Sequence, residues 1–145
     1  MTYRVIQWST GNVGQAALRA IIRHPELELS GVWVSSDEKV GKDAGELCGL
    51  EPVGVPAARP NIEAVLALEP DCVLYMANHT DDEVLCRLLE SGVNVVSSAG
   101  ELHRRESIEP GFARRLKGES SRMRMRLRRS AQSRRQDRIF LFFPA

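Results

Sequence analysis

Residues 3–14 read Tyr-Arg-Val-Ile-Gln-Trp-Ser-Thr-Gly-Asn-Val-Gly, and this stretch decides the fold. Tyr3–Trp8 is a short β-prone run, predicted to be a buried strand that meets a turn at Ser9-Thr10-Gly11. From Val13 the period becomes helical, with Val13, Ala17, Leu18, Ile21 and Ile22 on one face. Asn12 is the expected cap, answered three residues later by Gln15 as in a capping box, and His24-Pro25 ends the helix. The turn itself, Ser9-Thr10-Gly11-Asn12-Val13-Gly14, has the spacing GxGxxG with serine in the first glycine place. In that layout Gly11 lets the backbone approach a pyrophosphate and Gly14 lets helix and strand pack closely. The free N–H groups at the helix start, with the positive end of its dipole, favour phosphate. A tight strand–helix turn with no ligand is the alternative that spacing alone leaves open.

Further along, the same alternation repeats. Leu27–Val34 reads as a second strand, and residues 35–60 are polar and rich in Gly and Pro around a helix-like island at Asp43–Cys48. Asn61–Leu68 is a short amphipathic helix, and Cys72–Met76 is a continuous apolar strand of the kind buried on both faces of a parallel sheet. Thr80-Asp81-Asp82-Glu83 forms a capping box before a helix with Val84, Leu85, Leu88 and Leu89 inward. Gly92 stands where a C-terminal cap belongs, and Val93–Ser97 is the next strand. Strands alternating with helices over short loops imply an α/β fold, a doubly wound parallel sheet of the Rossmann-like, dinucleotide-binding kind.

The point where a ribose-binding acid belongs, about 20 residues past the glycines, is Val34-Ser35-Ser36, followed by Asp37, Glu38 and Lys39. Two hydroxyls with a nearby lysine suit the 2′-phosphate of NADP, whereas Asp37 would take the 2′-hydroxyl of NAD if the loop turns back. NADP is the preferred reading, with both cofactors kept. Cys48, Cys72 and Cys86 form no CxxC and are read as reduced core or near-core thiols. His24 and His103 sit among charged residues, and no His neighbours a Cys or carboxylate at metal-ligand spacing, so no metal is expected. With 43% hydrophobic and 27% charged residues the chain has the composition of a soluble globular protein. It holds no apolar run near the roughly 18 residues that span a bilayer. Without a signal-peptide layout at its start, it is expected to be cytoplasmic and to have no membrane partner.

Val40-Gly41-Lys42-Asp43-Ala44-Gly45-Glu46-Leu47-Cys48-Gly49 resembles the segment after the second strand in dihydrodipicolinate reductases. The Asp-Ala-Gly-Glu-Leu core lies at the same distance from the glycine turn. The Trp8–Gly14 turn is similar to that of the 2,4-diaminopentanoate dehydrogenase branch and of actinobacterial reductase-like proteins, and the resemblance runs over roughly residues 3–116. It implies an oxidoreductase moving hydride between NADP or NAD and a C=N bond of a small amino-acid-derived substrate. Ala77, Asn78, Ala99 and Gly100, at two strand ends, would line the ribose and nicotinamide, with His79 a loop residue near the cofactor. Gly-Thr-Thr-Gly of the true reductases is replaced by Ser97–Gly100, which favours the amine-dehydrogenase-like branch. The family's catalytic groups come from a second domain that binds substrate, closes on the cofactor and mediates homo-oligomerisation. A non-catalytic nucleotide-binding module is the rival reading.

Residues 1–113 carry 9 Lys/Arg against 17 Asp/Glu, while 114–145 carry 11 against 2. That charge reversal divides the chain into a dinucleotide-binding domain, 1–113, and an Arg-rich tail, 114–145, expected to be disordered. Nothing in the tail resembles the start of a substrate domain, so the expectation is a truncated or frameshifted reductase after about residue 116, inactive alone. Ten arginines between Arg114 and Arg138 could contact phosphates, but no aromatic residue lies among them to stack on bases, and nucleic acid is not the expected partner.

Overall fold

In the computed structural model, residues 2–99 and 139–141 are described. They form one six-stranded sheet in the order β3-β2-β1-β4-β5-β6, with every neighbouring pair parallel. The elements are β1 (Tyr3–Trp8), α1 (Asn12–Arg23), β2 (Leu27–Trp33), α2 (Ala44–Leu47), β3 (Ala57–Ala58), α3 (Ile62–Ala67), β4 (Cys72–Tyr75), α4 (Asp82–Glu90), β5 (Asn94–Ser97) and β6 (Ile139–Leu141), with a 3-10 turn at Asp37–Lys39 between β2 and α2. The chain winds outward from β1 to β3, then returns to place β4 on the other side of β1. The C-terminal ends of β1 and β4 are therefore where the winding reverses, which is where such sheets open a crevice for ligands.

Both faces of the central strands are covered, which is why β1 is buried continuously from Val5 to Trp8 and shows no alternation. On one face Leu18 of α1 packs with Val32, Val34, Ala44, Cys48 and Ala57. On the other, Val65 of α3 and Leu85, Leu88 and Leu89 of α4 cover Ile6, Val73 and Val95, beside Trp8, Trp33 and Tyr75. The indoles of Trp8 and Trp33 stack with centroids 6.5 Å apart, and Tyr75 leans on Trp8 at 5.5 Å. At Gly31 there is no room for a Cβ beside the Trp33 ring, and the β1–β2 register slips there, between Val5 and Ile6. Cys48 and Cys86 are buried, and burial pushes the Cys72 thiol up to about 12.

Four local expectations are corrected. The residue before α1 is Gly11, in extended backbone and with no side-chain cap, so Asn12 is the first helical residue. Gln15 does not close a capping box; its Nε2 donates to the Thr10 carbonyl oxygen at 3.3 Å. Val13 is 44% exposed and points away from the core, because Gly14, not Val13, faces the strand. At α4 the cap is Asp81 rather than Thr80, its Oδ1 accepting from the Glu83 and Val84 amides at 3.1 Å. Gly92, at φ 93°, ends that helix in the left-handed conformation predicted for it. β3 is too short to show any period in the sequence. Ile139–Leu141, from the apolar end of the chain, is a strand along β5. The rest of the expectation of a disordered tail lies outside the described residues, as do Gly100 and His103. Among the described residues no helix is long and apolar enough to cross a membrane.

Candidate nucleotide-binding site

Ser9 is where the glycine turn begins, and its backbone sits at φ 73°. This left-handed conformation costs an ordinary residue on the order of 1–2 kcal/mol, so glycine is the usual occupant of such a place. The turn is tied down all the same. The Ser9 amide donates to the Trp33 carbonyl at 2.8 Å, extending the β1–β2 ladder by one residue. Beneath it lies Gln7, fully buried, whose Nε2 donates to the Ser9 carbonyl oxygen at 2.7 Å. A Cβ built on Gly14 would fall inside contact distance of that same oxygen and 2.9 Å from the Ser9 carbonyl carbon. Helix and strand therefore touch, backbone to backbone, as the third glycine place demands.

Gly11 behaves oppositely. A Cβ there meets nothing within 4 Å, so the space in front of the turn is open. The first amide of α1 with an intrahelical partner is Gln15, bonded to the Gly11 carbonyl at 2.8 Å. The amides of Asn12, Val13 and Gly14 precede it, as at any helix start. With no side chain capping α1, the geometry presents those N–H groups and the positive end of a twelve-residue helix to the open side. The residues thus fit a pyrophosphate: there is a space that any side chain at position 11 would occupy, faced by amide donors.

Around that turn the sheet brings together the other residues singled out in the sequence. Ser35 and Ser36 follow β2. Lys39, in the 3-10 turn, folds back so that its Nζ donates to the Thr10 carbonyl oxygen at 2.9 Å and reaches the Thr10 Oγ1 at 3.3 Å. Ala77 and exposed Asn78 follow β4, across the switch point from Gly11, with the Met76 amide bonded to the Trp8 carbonyl at 2.9 Å. Ala99 lies buried past β5, its amide donating to the Ser97 hydroxyl at 3.1 Å. His79 is exposed in the loop before α4. Ser35, Ser36, Ala77, Asn78 and Ala99 come within three residues of C-terminal strand ends, and Lys39 and His79 lie in the segments that follow β2 and β4. Among the described residues no group of three or more His, Cys, Asp or Glu could hold a metal.

Arg59 escaped the sequence reading. It stands one residue past β3, with Nη1 donating to the Ser35 carbonyl oxygen at 2.7 Å and Nη2 paired with Asp37. The signal that could have found it is a cation ending a strand next to β2, but a two-residue strand leaves no trace to read. The Asp-Ala-Gly-Glu segment, in contrast, is scaffold. Asp43 caps α2 through Oδ1 and the Gly45 amide, and draws in the Val53 and Gly54 amides, all at 2.8 Å. Those hydrogen bonds, that of Val53 foremost, hold its carboxyl below the ordinary 3.8. Gly45 abuts the Glu51 carbonyl so closely that no side chain fits.

The family described as dihydrodipicolinate reductase, N-terminus, matches residues 5–106. An amine dehydrogenase of Streptomyces virginiae is 46% identical over 99 residues, covering 65% of this chain and 28% of that protein. A 4-hydroxy-tetrahydrodipicolinate reductase of Trichormus variabilis is 45% identical over 53 residues, 36% of this chain and 19% of the reductase. Among solved structures, an amine dehydrogenase from Mycobacterium smegmatis superposes with a TM-score of 0.70 at 23% identity. That superposition covers 81% of this chain and 36% of that one, and it speaks for the fold alone. The chain thus spans about a quarter of the length of these curated relatives.

Proposed function

Since the chain belongs to the dihydrodipicolinate reductase N-terminal family, we propose that residues 2–99 bind NADP or NAD as the cofactor half of an oxidoreductase. The observation that carries this reading is the uncapped start of α1, open over Gly11 and closed at Gly14, at the sheet's switch point. Ser9–Gly14 would hold the pyrophosphate, with Lys39 bracing the turn through Thr10. Ser35, Ser36 and Lys39 would surround the 2′ side of the ribose, and Ala77, Asn78 and Ala99 would lie toward the nicotinamide. When bound, the nicotinamide supplies hydride exchange; amine oxidation and imine reduction are its two directions at one C–N bond. The relatives named amine dehydrogenase and 4-hydroxy-tetrahydrodipicolinate reductase support a C=N bond in a small amino-acid-derived substrate. This chain's share is to fix the dinucleotide by backbone amides and to leave one face of the nicotinamide end open. A substrate-binding partner domain, or a second copy of the chain, would complete the site.

Calorimetric titration with NADPH and NADH tests the reading. Saturable one-to-one binding is expected, abolished by Gly11→Val while the unfolding midpoint is kept. A folded wild-type chain that takes up neither nucleotide would overturn it.

A further inference from the structure

We infer that Arg59 is the residue that distinguishes a 2′-phosphate from a 2′-hydroxyl on the bound ribose, acting through an exchangeable pair with Asp37. The inference rests on the proposed nucleotide site and adds a determinant to it from a different strand. β3 lies beside β2 with Ala58 opposite Trp33, and the Val34 amide donates to the Ala58 carbonyl at 2.9 Å. That ladder sets Arg59 alongside Ser35, where its Nη1 bonds the carbonyl oxygen at 2.7 Å. Its Nη2 takes the Asp37 carboxylate. Asp37, 23 residues past Gly14, directly follows Ser35-Ser36, the place where a dinucleotide fold keeps the acid that binds a ribose 2′-hydroxyl.

Left alone, that carboxylate would repel a 2′-phosphate. Paired with Arg59 it is neutralised, and the guanidinium still has donors to spare. A guanidinium offers five N–H donors in a fork that fits phosphate, and two groups are engaged here. The pair is open to water, with Asp37 87% and Arg59 52% exposed at the side chain, and exposed ion pairs are weak enough to be exchanged. Lys39 does not do this work alone, because its ammonium is also engaged by the Thr10 carbonyl and hydroxyl oxygens. With NADH, Asp37 accepts from the 2′-hydroxyl and Arg59 stays on Asp37. With NADPH, the guanidinium turns to the 2′-phosphate while its Ser35 bond keeps it in place.

The test is to titrate wild type, Arg59→Ala, Arg59→Lys and Asp37→Asn with NADPH and NADH, and with the fragments 2′,5′-ADP and 5′-AMP, checking each fold by circular dichroism. Arg59→Ala should weaken NADPH and 2′,5′-ADP about tenfold to a hundredfold, the worth of a charged hydrogen bond, and move NADH and 5′-AMP less than threefold. Arg59→Lys, keeping charge without the fork, should fall between. Asp37→Asn should weaken NADH and strengthen NADPH. Equal losses for both nucleotides in Arg59→Ala would mean that the residue only shapes the Ser35–Asp37 loop, and would overturn the inference while leaving the nucleotide site intact. No change would overturn it likewise. Wild type binding none of the four ligands would overturn the site itself, and the inference with it.

Discussion

Gly14→Ala is the substitution for which the geometry gives the firmest number. The new methyl would lie inside contact distance of the Ser9 carbonyl oxygen and 2.9 Å from its carbon. Neither partner can retreat freely. The Ser9 carbonyl is held by Gln7 Nε2 at 2.7 Å, and the Ser9 amide by the Trp33 carbonyl at 2.8 Å. Relief requires α1 and the turn to part by about 1 Å, at a cost of roughly 1–3 kcal/mol for overpacking and about 1 kcal/mol for a weakened hydrogen bond. Alanine regains about 1 kcal/mol in helix propensity, which leaves a net loss of about 1–3 kcal/mol. For a domain near 100 residues this is on the order of 5–20 °C in the thermal midpoint. Gly11→Ala is the control: with φ −70° and open space around its Cβ, it should shift stability by no more than about 1 kcal/mol. Thermal melts followed by circular dichroism, with and without NADPH, separate the two. A Gly14→Ala chain that melts with wild type would refute the reasoning, as would a Gly11→Ala chain that loses stability yet binds normally.

Ser9→Gly should leave the stability unchanged or raise it by up to about 1 kcal/mol, since relieved left-handed strain outweighs the extra freedom of unfolded glycine; a clear loss in urea titration would contradict this. Asp43 has a carboxyl lowered in the folded state, so its contribution is complete above pH 3.8 and is lost as the pH falls through the folded value. The urea midpoint of Asp43→Asn should therefore trail wild type by a constant amount from pH 5 to 8 and converge with it in more acidic solution. A gap that persists unchanged to pH 2 would assign the loss to packing. Lys39→Ala should weaken both nucleotides in calorimetry, because Nζ braces the Thr10 carbonyl, and NADPH more than NADH; an effect on neither would remove Lys39 from the site.

The elements long enough to carry a period were legible: β1, α1, β2, α3, β4, α4 and β5 all lie within a residue or two of their predicted bounds. Their order implied the parallel sheet without further help. What escaped was set by tertiary contact. A two-residue strand such as β3 has no pattern, and Arg59 was invisible because its meaning comes from lying beside Ser35. Asn12 and Thr80 were plausible caps by composition, but the cap positions fall one residue earlier at Gly11, with no side-chain cap, and one later at Asp81. The glycine turn read correctly as a motif. Why serine is tolerated at its first place needed the φ of 73° and the Gln7 support beneath it. The Asp43 segment was legible as a family mark, yet only the structure gives its physical basis, a carboxylate gathering three backbone amides.

The most direct test of the central claim is an amide chemical-shift map of the chain titrated with NADPH. The largest saturable shifts are expected at Gly11, Asn12, Val13 and Gly14, with further shifts at Ser35, Ser36, Lys39, Arg59 and Asn78. Shifts confined to the hollow at the N-terminal ends of β4 and β5, between Glu69-Pro70-Asp71 and Ser91–Asn94, or no shifts in a folded chain, would contradict this assignment.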